Sequence, residues 1–185
     1  MDKRLECEGG DTVFSFGIEK HGGSNFMTPA EAAAALFKAI PPPVSVLQLQ
    51  DYGIDIDEAR SRQLSRELLS LNLYWILAAI EAHIPQKYRA AIVELLLDSV
   101  RTRWGESGEL GLTAWQDYMS ELRERRAHYG RLMDDVLSPM ALNAEAATVV
   151  EDQGLVQSED RQKLFALLID FVPVDRYAQL LDDVG

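Results

Sequence analysis

Residues 64 to 84 read LSRELLSLNLYWILAAIEAHI and run directly into Pro85. At helical spacing Leu64, Leu68, Leu71, Trp75, Ala78 and Ala82 form one apolar stripe, while Leu69, Leu73, Ile76 and Ile80 form a second on another side. A surface helix buries a single stripe, so a helix that is apolar on most sides has to be covered on most sides. The stretch therefore predicts the central post of a helical bundle. From Leu68 to Ile80 the apolar run is broken by Ser70 and Asn72, and it falls short of the roughly 20 residues that a membrane span requires. A core helix is expected, and no membrane role.

Around this post the chain from Asp57 onward carries only helix signals. Asp57 caps a first helix from about Glu58 to His83. Pro85 suits the first turn of a second, which carries Tyr88, Ile92, Leu95 and Leu96 and ends near Trp104-Gly105. Gly105, Gly108 and Gly111 mark a loop. Thr113 with Gln116 forms a capping box for a third helix ending near Leu137, and Ser138-Pro139 opens a fourth. Gln153-Gly154 breaks the chain, Ser158 with Glu159 and Asp160 starts a fifth helix, and Pro173 a sixth.

The first 52 residues have a different texture. Phe14, Phe16 and Ile18 alternate within Thr12–Glu19 as in a half-buried strand, with a turn at Gly9-Gly10-Asp11 and a short strand at Leu5–Cys7 before it. Thr28-Pro29-Ala30-Glu31 starts a helix that must stop before Pro41-Pro42-Pro43, and Val44–Gln50 reads as a further strand. The expected fold class is thus mostly α: a bundle of five to six helices over residues 53–185, with a small strand-helix-strand lobe over residues 1–52. On this division residues 57–185 should fold without the segment before them.

The chain has 185 residues, 47% of them hydrophobic and 26% charged, which suits one globular domain with an extension. A net charge of −12 opposes binding to nucleic acid or to anionic lipid. Cys7 is the single cysteine, so internal disulfides and multi-thiolate zinc sites are excluded, and with no signal-like opening a cytoplasmic location is expected.

The motifs that could carry chemistry each fall short. Gly17 to Ser24 has the glycine spacing of a phosphate loop, but Gly23 stands where the lysine should be. A di-metal bundle needs paired Glu-x-x-His motifs, whereas Glu124 and His128 are four apart and Glu81 and His83 two apart. Asp51, Asp55, Asp57 and Glu58 lack the glycine and glutamate positions of a calcium loop, and helix capping accounts for them. No metal, cofactor or nucleophile motif is expected.

The strongest irregularity lies in the third helix, where Trp115, Met119, Leu122, Arg126, Tyr129, Met133 and Val136 form a core-facing stripe with an arginine in its middle. Arg126 must snorkel out or meet a carboxylate from another helix, with Glu67, Glu81, Glu94 and Asp98 as candidates. A buried pair of this kind predicts a loss of a few kcal/mol on Arg126→Ala. Arg123, Arg125 and Arg131 stand near Arg126 with His128 between them, a basic patch on an acidic chain, and Arg123, Arg126, His128 and Arg131 are the candidate site for an anion. Asn72, inside the central post, is a candidate buried polar residue that pairs across the bundle. With no catalytic motif, the leading reading is a non-enzymatic cytoplasmic interaction protein, an adaptor or regulator acting through helix faces, with an unknown protein partner and a homodimer expected. The alternative is a binder or enzyme for a small anionic ligand, with a pocket between bundle helices near Arg126 and His128.

Overall fold

The structure, a computed structural model, describes residues 27–106, 108, 114–135 and 138–182. The described chain is mostly helical and contains no strand among these residues. Helix α1 spans Pro29–Ala39, α2 Val46–Asp51, α3 Glu58–His83, α4 Gln86–Val100, α5 Trp115–Asp135, α6 Pro139–Asp152, α7 Arg161–Phe171 and α8 Val174–Leu181. A π-helical turn, Arg101–Gly105, extends α4 and seats the buried Trp104.

Helix α3 is the central post. Every residue from Leu68 through Leu77 is buried, serine and asparagine included. It packs against α2, α4, α5, α6 and α8, which is the cover its all-round apolarity demands. Asp57 starts it by accepting from the Arg60 amide, 2.8 Å away. At the far end Ala82 is exposed, so the first stripe stops short of the position the spacing predicts.

The strand expected over Val44–Gln50 is helix α2. Ser45 and Gln48 form a reciprocal capping box, the Gln48 amide donating to Ser45 Oγ and the Ser45 amide to Gln48 Oε1. This satisfies amide donors that a lone strand would leave unpaired, and it prevails over the alternating pattern of valines and leucines. Helix α2 stops at Gly53, whose φ of 73° lets its amide reach Gln50 and the next amide, of Ile54, reach Leu49. Gly154, with φ of 70°, ends α6 in the same way. The strands expected at Leu5–Cys7 and Thr12–Glu19, the phosphate-loop-like Gly17 to Ser24 and the cap at Thr113 lie outside the described residues.

Helix α1 starts with the expected capping box between Thr28 and Glu31, and these hydrogen bonds hold the Glu31 carboxyl below its ordinary range. It lies against α4 and α8, and its Ala32, Ala33, Leu36 and Ala39 belong to the same buried cluster as α3. After the three prolines the chain is tied to α3 by two buried serines: the Val44 amide donates to Ser65 Oγ at 2.9 Å, and Ser61 Oγ donates to the Val44 carbonyl at 2.7 Å. Prolines cannot donate, so this tether is supplied by side chains of the post. No helix among the described residues is long and apolar enough to cross a membrane.

Candidate functional site

Helix α5 carries the residues that the sequence singles out, and its buried side is rotated from the expected one. Tyr118, Leu122 and Tyr129 are fully enclosed, while Trp115, Met119 and Met133 are only partly buried. Tyr118 buries its ring under a hydroxyl that lies 3.3 Å from the Ser70 hydroxyl, and burial pushes both the Tyr118 and Tyr129 phenols well above their ordinary range. With the tyrosines setting the phase, Arg126 falls at the edge of the stripe. It is 43% exposed, not embedded, and pairs with Glu81 of α3, one of the four expected carboxylates.

The four candidate residues are not brought to one cavity. Arg123 is exposed and folds back on its own helix, donating to the Met119 carbonyl at 3.1 Å and to Ser120 Oγ at 3.0 Å. His128 turns to the opposite flank, where its Nε2 lies 3.3 Å from Glu145 of α6. Arg131 is exposed on the outer side. Asn72 is buried and fully engaged: Nδ2 donates to the Leu68 and Phe171 carbonyls at 2.7 and 3.0 Å, and Oδ1 accepts from the Tyr177 hydroxyl.

The most enclosed ionic pairing involves Arg125. Its guanidinium donates twice to the Glu67 carboxylate, both bonds 2.8 Å long, and Gln153 adds a third contact at 3.3 Å. These bonds to Glu67 hold Arg125 charged to higher pH than usual. Beside it Arg66, stacked 5.8 Å over the Tyr118 ring, pairs with Glu121. The two pairs line a polar cleft of about 330 Å³ between α3, α5 and the end of α6. Each arginine already has its carboxylate, so the cleft reads as an ion-paired helix junction.

A different feature is open. Among the described residues Leu47, Leu95, Met140 and Ile169 are the large apolar side chains left exposed. Met140 and Ile169, 49% and 42% exposed, share a groove of about 500 Å³ where the start of α6 faces the α7–α8 junction. Val172 and Val174 continue its apolar lining, and Asp175 and Arg176, both exposed, stand on its rim. Asn143 forms part of the wall, its Oδ1 buried without a hydrogen-bond partner.

Set against known families, characterised proteins and solved structures, the chain matches none of them. Among the described residues no group of histidine, cysteine, aspartate or glutamate is placed to hold a metal ion.

The sequence reading passed over Met140 and Ile169, although a signal was present. Leu164, Leu167 and Leu168 take the inward positions of α7, and Leu142, Ala146 and Val150 those of α6. Ile169 falls off the α7 stripe, where a helix in contact with water carries a polar residue, whereas Met140 stands in line with the buried Asn143 and Ala147, so only Ile169 carried the signal.

Proposed function

We propose that this chain is a non-enzymatic interaction protein, an adaptor or regulator, that presents the groove between α6, α7 and α8 to a protein partner. The observation that carries the reading is the pairing of Met140 and Ile169 on that one groove. Single exposed apolar residues are common on soluble proteins, whereas adjacent ones rimmed by charge mark contact surfaces. Leu47, 71% exposed on α2, does not line this groove and serves as the internal control. The rival reading, an anionic ligand held by Arg126 and His128, needs both to face one cavity, and their carboxylate partners stand on different helices. A reducing compartment such as the cytoplasm suits a chain with a single cysteine.

A photo-crosslinking amino acid replacing Ile169, compared with one replacing Leu47, tests the proposal in the source cells. Discrete adducts from position 169 and none from position 47 are expected. The same diffuse pattern from both positions would overturn the reading.

A further inference from the structure

We infer that the occupant of the α6–α7–α8 groove is a second copy of this chain, docked by a two-fold axis. This rests on the reading of that groove as the interaction surface. A two-fold dimer requires a patch that is its own complement, because every contact of residue i with residue j of the other copy recurs as a contact of j with i. The groove has this property. Its apolar centre, Met140 and Ile169, can meet itself, and its rim places opposite charges side by side in Asp175 and Arg176. Both charges stand in the first turn of α8, and neither has an ion-pair partner among the described residues. A two-fold axis brings Asp175 of each copy toward Arg176 of the other.

The charge of the whole chain points the same way. At −12, two copies repel each other over most of their surfaces, and they can approach only where the acidic charge is locally cancelled. The rim residues Asp175 and Arg176 sum to zero. A foreign partner selected for this acidic protein would gain most from a basic face laid on its acidic surfaces, whereas a balanced, apolar-centred patch suits a partner carrying the same patch.

Sedimentation of the full chain over a wide concentration range should show a reversible monomer–dimer equilibrium. Ile169→Asp should weaken dimerisation by about a hundredfold or more, since it places a carboxylate at the centre of the contact. Arg176→Asp alone and Asp175→Arg alone should each weaken it about tenfold or more, because like charges then meet twice. Mixing these two variants should restore dimers, as an aspartate pair on one copy then faces an arginine pair on the other. Circular dichroism spectra matching the wild type, and matching melts at concentrations low enough that all the proteins are monomeric, establish that these exposed substitutions leave the fold intact. A monomer at every concentration, or a dimer indifferent to Ile169→Asp and to the charge exchange, overturns the second copy as occupant. If the chain is monomeric while position 169 still gives discrete adducts with another protein, the groove remains an interaction surface and only its occupant is wrong. If both experiments fail, the groove is not an interface.

Discussion

Arg125 and Arg126 are neighbours in sequence with the same side chain, and one residue of helical rotation separates their fates. The Arg125–Glu67 pair is three-quarters or more enclosed and bidentate, while Arg126 and Glu81 are 43% and 59% exposed. Removing one partner of an enclosed pair strands the other charge, whereas an exposed pair loses little because water replaces it. Arg125→Ala should therefore cost about 1–2 kcal/mol, tempered by its partial exposure. Arg126→Ala should stay within about 0.5 kcal/mol. Urea denaturation of both variants measures the contrast. Equal losses would mean that the two pairs are equally solvated. The loss expected from sequence for Arg126 thus moves to its neighbour. Spacing alone could not have decided this, since Trp115, Met119, Leu122, Tyr129 and Met133 fit a core stripe on α5 as well as Tyr118, Leu122 and Tyr129 do. Which stripe is buried depends on the surface it meets, and the Ser70 hydroxyl that receives Tyr118 lies on a different helix.

Among elements, α3 was legible because its pattern leaves no alternative: apolar on most sides, capped by Asp57 and stopped before Pro85. Helix α2 was not, because valines and leucines in a stretch this short fit a strand or a helix, and only the Ser45–Gln48 box separates them. Asn72 was legible as a buried amide. Its partners were not, since Phe171 and Tyr177 lie about a hundred positions away along the chain. Through Asn72 the post holds both the end of α7 and the body of α8, taking up a terminal carbonyl and a buried hydroxyl that have to be satisfied. Asn72→Leu keeps the volume but leaves both groups unpaired, and should cost about 2–4 kcal/mol. Adding Tyr177→Phe removes one stranded hydroxyl and should recover part of that loss. Chemical denaturation gives the energies, and hydrogen exchange should show α8 opening first in the single variant. If the double variant is less stable than Asn72→Leu by the full cost of a lone Tyr177→Phe, the two side chains are not coupled.

At the scale of the whole molecule, the change of texture near residue 52 suggested a lobe beside a self-sufficient bundle. The described part of that segment packs into the core: α1 lies on α4 and α8, and Leu36 and Leu49, with Ile54 just after the segment, are completely enclosed within the cluster built on α3. Each fully buried leucine or isoleucine contributes about 1.5–3 kcal/mol, so removing three of them, with the alanines of α1, subtracts an amount comparable to the net stability of a small domain. The Val44 tether to Ser61 and Ser65 would go as well, leaving two buried serine hydroxyls on the post facing water or each other. Cutting the chain to residues 57–185 should therefore leave helical circular dichroism but lose the cooperative melt, because α4 and α8 are stripped of their cover while their own hydrogen bonds persist. The comparison is with the full chain under the same conditions, using near-ultraviolet circular dichroism for the packing of Trp75 and Trp104. If 57–185 melts as sharply as the full chain and at the same temperature, α1 and α2 are an accessory layer, and the boundary read from the sequence is the true one.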